Sequence, residues 1–265
     1  MASRLPGQLR RAAGDGRRRA AVAGRWALGA GRWVAGNQRE PSSSSAARTP
    51  ERIAPSIVAL YPSPAVASPA KNNVPSSYNV FEAARQAKIK TVVFASSETV
   101  LGLPFENPPP YIPVDEEYFP RPETAYSLGK LLDETMAAQF CRWDAELKMV
   151  GLRFSNVMDV EDYKAFPAFE SDVRKRKWNL WGYIDARDGA QAVRRGIEAE
   201  FKGFEPFIIA NSDTVMRRDN ASLVAEVFPN VPIKGSLSPN GTLLSIDKAK
   251  RLLDYNPQHS WRNHV

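Results

Sequence analysis

The chain has 265 residues, of which 43% are hydrophobic, 25% charged and 10% aromatic, enough for one core and short for two full domains. This excludes a collagen-like, disulfide-stapled or wholly disordered chain: Cys141 is the single cysteine, and no apolar run approaches the roughly 18 residues of a membrane helix. The formal charge of +7 points to nucleic acid only until it is located, because residues 1–50 hold ten arginines against Asp15 and Glu40 while the rest of the chain is close to neutral, so neither a nucleic-acid nor a membrane partner is expected.

Residues 1–52 are dominated by Arg, Ala and Gly, include Arg17-Arg18-Arg19, and show no apolar period, so they are expected to form a disordered extension. Two alternatives stand beside this: an Arg-rich targeting peptide, and a phosphate loop at Gly29-Ala30-Gly31 with Gly36, which lacks a good strand before it. From Ile53 the texture becomes that of an α/β protein. Ser56–Tyr61 predicts a buried strand, and after the Pro/Ser-rich stretch 62–75 a helix is expected over Ser76–Lys88 with Val80, Ala83 and Ala84 on one face. Thr91–Ser96 is a β-branched run suited to the inside of a parallel sheet. Leu103–Pro122 holds seven prolines and Asp115-Glu116-Glu117, and reads as a surface loop. Leu128, Leu132, Met136 and Phe140 recur every four residues and predict the buried stripe of a helix over Glu123–Trp143.

A further buried strand follows at Met149–Phe154, then a Trp/Phe-rich loop over 166–183, a helix over Ala186–Lys202, a strand at Pro206–Ala210, and short helices at Ala221–Phe228 and Ile246–Leu253. Strands and helices that alternate without a hairpin signal argue a Rossmann-like α/β fold: a parallel sheet covered by helices on both faces. The expected division is a partial dinucleotide-binding domain over 53–160 and a small substrate lobe, intertwined with it, over 161–265.

Tyr126 and Lys130 stand one helical turn apart, so their side chains share a face about 6 Å from one another. At that distance and an effective dielectric near 20, an ammonium favours a phenolate by about 2.8 kcal/mol, or roughly two pKa units. A tyrosine so tuned exchanges a proton with an alcohol near neutral pH. A plain surface pair is the alternative. Ser96-Ser97-Glu98-Thr99-Val100-Leu101-Gly102 follows the strand Thr91–Ala95 directly, where a hydroxyl can orient a substrate oxygen; the alternative is a polar turn with Gly102 in the left-handed region.

The segment Phe94–Gly102, then Tyr126-Ser-Leu-Gly-Lys130, then Leu152-Arg-Phe-Ser-Asn-Val157, in this order, resembles the extended short-chain dehydrogenase/reductase family, the NAD-dependent epimerase/dehydratase group that acts on sugars and sugar nucleotides. Asn73–Ala83 is similar to that family's helix before the serine strand. The resemblance implies NAD or NADP as cofactor and a sugar or sugar-nucleotide substrate, handled by epimerisation, dehydration or dehydrogenation, in a cytoplasmic protein with homodimerisation left open.

Carried over, it makes Tyr126 the acid/base, Lys130 the holder of the nicotinamide ribose, Ser97 the donor to the reacting hydroxyl and Asn73 the support of the lysine. Ser96, Phe154, Asn156 and Val157 would join Tyr126 and Lys130 along the cofactor. Ser97, Glu98, Thr99, Asn156, Trp181 and Arg187 would meet the substrate. Glu98 stands where the dehydratases carry an acid, and Leu101 where the family usually has tyrosine. The family's glycine-rich turn is not visible before Ile53, which implies that the amino-terminal half of the dinucleotide fold is missing or replaced. A non-catalytic, dinucleotide-sensing or remnant member is therefore the second reading.

Other features have simpler expectations. Trp178, Trp181, Tyr183, Asp185 and Asp188 line a substrate pocket or pack the lobe. Arg174-Lys-Arg-Lys177 is a solvated charge run, and Arg217-Arg218 a surface pair or an anion contact. Cys141 and Met136 are core, and His259 and His264 are too few for a metal site, so none is expected.

Overall fold

A computed structural model describes residues 56–59 and 69–264. The extension at 1–52, the remainder of the first predicted strand at 60–61 and the Pro/Ser-rich stretch over 62–68 lie outside the described residues. The strands β1 (Ser56–Ala59), β2 (Thr91–Ser97), β3 (Lys148–Phe154) and β6 (Gly203–Ile209) form one sheet in the order β1-β2-β3-β6, every neighbouring pair parallel. Between them lie the helices α1 (Pro69–Gln86), α2 (Ala125–Trp143) and α3 (Ala186–Glu198), with α4 (Asn220–Val227) and α5 (Asp247–Leu253) following β6. This is the expected Rossmann-like class.

The sheet is covered on both faces because its central strands alternate two apolar sets. Val92, Phe94 and Met149 point to one side and meet Phe81 and Ala84 of α1 and Ala137, Phe140 and Cys141 of α2. Val93, Val150 and Leu152 point to the other, where α3 contributes Ala192 to a core that runs without interruption to Tyr255 and Trp261. Gly151 sits between partners Phe94 and Pro206, and a Cβ there would come within 3.1 Å of the Phe204 ring and 3.2 Å of Phe94. The two rings stack over that gap at 6.0 Å, so the absence of a side chain lets the sheet carry them face to face.

Several expectations need correction. Helix α1 begins earlier than predicted, and its inner face is Ser77, Phe81 and Ala84; Val80 is half-buried and Ala83 exposed. On α2 the apolar stripe is only partly buried: Phe140 is core and Met136 half-buried, but Leu128 and Leu132 are 47% and 42% exposed. The inward face instead carries Ser127, Lys130, Asp133 and Glu134, of which Lys130 and Glu134 are received at the ends of β2 and β3. Leu103–Pro122 is a strap rather than a surface loop. Leu103, Phe105, Ile112 and Val114 are buried, and the backbones of Ile112 and Val114 bond to Pro232, Lys234, Leu243 and Ser245 of the carboxyl-terminal segment. The stretch over 166–183 contains 3-10 helical turns at Asp162–Ser171 and Val173–Asn179, and the helix predicted to Lys202 stops at Glu198.

The charge run at 174–177 is solvated at Arg174 and Lys175 only. Arg176 is buried, its guanidinium 4.9 Å from the Trp178 ring and 5.5 Å from Phe169, and it donates to the Gly182 carbonyl at 2.7 Å. No helix among the described residues is long and apolar enough to cross a membrane.

Candidate functional site

The carboxyl ends of β2 and β3 and the first turns of α2 meet at one place. Strand β2 runs into a 3-10 turn, Glu98–Leu101, capped by Ser97, whose Oγ accepts from Thr99 N at 3.2 Å and from Thr99 Oγ1 at 3.0 Å. Gly102 closes the turn at φ +92°, the left-handed conformation that its lack of a Cβ permits. Helix α2 starts with a reciprocal cap: Ser127 N donates to Thr124 Oγ1 at 3.1 Å and Thr124 N to Ser127 Oγ at 2.9 Å. That cap, at Thr124, fixes the rotation of the helix two residues before Tyr126. The strap is tied in as well, through Arg121 N to the Val100 carbonyl at 2.8 Å.

On this frame Ser97, Tyr126 and Lys130 converge. The Lys130 Nζ lies 5.9 Å from the centre of the Tyr126 ring and donates to the Ala95 carbonyl of β2 at 2.8 Å. The expected electrostatics are corrected in part. Burial pushes the Tyr126 phenol above its ordinary value, Ser97 acts in the opposite direction, and the carboxylates of Asp133 and Glu98 add to the rise. Burial also draws the Lys130 ammonium down, against Asp133 and Glu134, which raise it. The net direction at Tyr126 is therefore upward, opposite to the expected one.

The remaining residues named from sequence divide by position. Asn73 is buried on α1, and Asn156 and Phe154 are half-buried at the end of β3. Val157 is exposed in a short strand β4 (Val157–Met158), which pairs with β5 (Ile184–Asp185). Thr99 is half-buried beside Ser97. Ser96 is turned inward, donating to Glu134 Oε1 at 2.5 Å, and Glu134 in turn accepts from Arg153 Nε and Nη2 at 2.9 and 2.8 Å.

Glu98 is 3% exposed, with Ser155 Oγ donating to one carboxylate oxygen at 2.6 Å and Asn179 Nδ2 to the other at 3.2 Å. It clasps the serine turn to the carboxyl-terminal segment instead of facing a substrate. Its burial pushes the carboxyl up to about 7.

The proposed pocket of aromatic and acidic residues is packing. Trp181 is 0% exposed and donates its indole N–H to the Val173 carbonyl at 2.7 Å, so it has no surface to offer a ligand. Tyr183 bonds to Asp213 at 2.7 Å, and Asp188 receives the backbones of Gln258 and His259 together with the His259 ring. Arg187 is half exposed, but its guanidinium is doubly engaged by Asp185 at 2.9 and 2.8 Å, and Asp185 also accepts from the Tyr163 hydroxyl.

Three residues beneath the site escaped the sequence reading: Asp133, Glu134 and Arg153. The available signal was helical spacing, since positions 133 and 134 follow Lys130 by three and four and share its face.

The model of the family described as NAD dependent epimerase/dehydratase matches residues 63–209. An uncharacterized protein of Methanocaldococcus jannaschii is 26% identical over 208 residues, which cover 71% of this chain. The chain spans 60% of the length of that curated relative. Among solved structures, UDP-N-acetylglucosamine 4-epimerase from Bacillus cereus superposes with a TM-score of 0.54 at 18% identity, covering 79% of this chain and 74% of its own. UDP-glucuronic acid 4-epimerase from Bacillus cereus, in complex with NAD, gives 0.51 at 19%, covering 76% and 68%. A short-chain dehydrogenase/reductase superfamily protein from Agrobacterium tumefaciens with bound NAD gives 0.52 at 18%, covering 78% and 76%. At these identities the shared property is the fold.

Proposed function

The chain belongs to the NAD dependent epimerase/dehydratase family, and from that premise we propose that it is an NAD(P)-dependent enzyme that oxidises a hydroxyl-bearing carbon of a sugar or sugar nucleotide, as a dehydrogenase or as the first half of an epimerisation. The observation that carries this is the convergence of the Ser97 hydroxyl, the Tyr126 phenol and the Lys130 ammonium at the carboxyl ends of β2 and β3, the end of an open parallel sheet where ligands bind.

The nicotinamide end of a dinucleotide fits these residues, because an ammonium and a phenol side by side are the donors that ribose hydroxyls require. Phe154, Asn156 and Val157 continue that surface, and Ser96 underlies it. Among the described residues no strand leads through a glycine turn into a helix, so no described residue is assigned to the pyrophosphate. Bound here, the dinucleotide supplies the hydride acceptor.

The chain supplies the proton chemistry. Ser97 Oγ already accepts two bonds from Thr99, which leaves its single O–H to donate, to Tyr126 before substrate arrives and to the substrate oxygen afterwards. As the phenolate, Tyr126 takes the hydroxyl proton while the hydride leaves the same carbon, becoming the phenol, and as the phenol it returns the proton on the reverse step. Lys130, pinned to the Ala95 carbonyl, holds positive charge beside the phenolate that must be present before the proton is taken. Glu98 is engaged by Ser155 and Asn179, which favours oxidation over dehydration through that acid.

The test is a thermal-shift titration of the full chain with NAD(H) and NADP(H), followed by turnover assays on UDP-sugars and free sugars. A ligand bound by the folded state alone at about 100 times its Kd adds roughly 2.7 kcal/mol, an upward shift of a few degrees. Tyr126→Phe is expected to reduce turnover at least 100-fold with an unchanged melting temperature. Turnover that survives this substitution overturns the mechanism. A cooperatively melting chain that no dinucleotide stabilises favours the non-catalytic reading.

A further inference from the structure

Asp133 lies on α2 three residues after Lys130, 1% exposed, at the junction of α2 with α1. Neither of its carboxylate oxygens has a partner within 3.5 Å; the Ser77 hydroxyl of α1 faces it and draws the carboxyl down, against the larger effect of burial. A buried carboxylate left in this condition is costly, and folds tolerate it where a charge nearby compensates. Here that charge is the Lys130 ammonium, whose Nζ stands 3.8 Å from Asp133 Oδ2. The neighbouring acid, Glu134, is committed elsewhere, its two oxygens taken by Arg153 and Ser96.

Lys130 needs such support. It is 3% exposed, and in that environment an amine tends to lose its proton. Its bond to the Ala95 carbonyl fixes the direction of Nζ but supplies no full negative charge. The groups facing the pair are Ser77 from α1, Tyr126 and Glu134 from α2 and the Ala95 carbonyl from β2.

We propose that Asp133 is a positioning residue, a buried counter-charge that keeps Lys130 protonated and held beside Tyr126. It acts through the lysine and touches no reacting atom. The inference rests on the role given to Lys130 in the proposed reaction, but the pairing itself can be measured without substrate. Burial raises the Asp133 carboxyl to about 6, so the counter-charge is present near neutral pH and is lost on acidification below that value.

The experiment follows the protonation of Lys130 directly, by NMR titration of the side-chain Cε in lysine-labelled full-length chain, with the resonance assigned by its disappearance in Lys130→Arg. Asp133→Asn, close in shape and uncharged, is expected to move that titration down by about one to three pH units. An unchanged titration overturns the proposal. A double-mutant cycle on melting temperature covers the case in which Asp133→Asn folds poorly: Lys130→Met should be less harmful with Asp133→Asn than alone, because the second change removes a stranded charge. Additive losses overturn the pairing. A shifted lysine titration with turnover unaltered at every pH upholds the counter-charge while refuting the part given to Lys130 in catalysis, so the two readings fail separately.

Discussion

Glu134 on α2 and Arg153 on β3 form a buried two-pronged ion pair, Nε to Oε1 at 2.9 Å and Nη2 to Oε2 at 2.8 Å, with Ser96 of β2 donating to the same carboxylate. One side chain thus bolts the helix that carries Tyr126 and Lys130 to both central strands. The pair sets the distance from the serine turn to the tyrosine helix, on which the proposed chemistry depends.

Glu134→Gln keeps the shape and the acceptor for Ser96 but leaves the Arg153 guanidinium buried without its charge. Removing one partner of a buried pair costs about 3–5 kcal/mol. The expected result is a fall of that size in urea unfolding at pH 7. Replacing both partners, Glu134→Leu with Arg153→Met, should recover most of the loss, because neither charge then remains stranded. A single variant as stable as the parent would show that the pair contributes little.

Glu98 makes stability depend on pH in an uncommon direction. Its carboxyl has an ordinary value of 4.5 and is pushed to about 7 in the folded chain, so the folded state holds a proton that the unfolded state has released. That contribution is complete below 4.5 and is lost as pH rises through 7, by an amount on the order of 3 kcal/mol. Asp133, raised to about 6, adds a loss of the same sign at lower pH. Glu98→Gln keeps one acceptor oxygen, for Asn179, turns its amide N–H to the Ser155 hydroxyl, which can accept, and has no proton to lose. Melting curves from pH 5 to 8 should therefore flatten in the variant, with its advantage over the parent greatest at pH 8.

Trp181→Phe separates packing from binding at a residue that was a candidate for both. With the indole fully enclosed and bonded to the Val173 carbonyl, the loss of its volume and its N–H should lower stability by about 1–3 kcal/mol. Once a substrate is identified, its KM should change less than twofold. A large change in KM at unchanged stability would return Trp181 to the binding surface.

The amino-acid order alone settled the elements whose burial is uniform. A strand enclosed on both faces reads as a near-continuous apolar run, which is why Thr91–Ser97 and Lys148–Phe154 were legible to within a residue or so. The Tyr126/Lys130 spacing and the left-handed Gly102 were legible for a similar reason, since each follows from local geometry. The inward face of α2 was not. Its leucines at 128 and 132 advertise an apolar stripe, yet the fold turns Lys130, Asp133 and Glu134 inward. Those groups tolerate burial because Ala95, Ser96 and Arg153 receive Lys130 and Glu134, and because Asp133 sits against Lys130 and Ser77. Apart from the Asp133–Lys130 pair within the helix, these partners stand 19 to 56 positions away in sequence. The same holds for Glu98 with Asn179, for Arg176 between Phe169 and Trp178, and for the strap over 103–122. Hydrophobic pattern is a property of a segment, whereas the satisfaction of a buried charge is a property of whatever the fold brings beside it, and only the tertiary structure decides that.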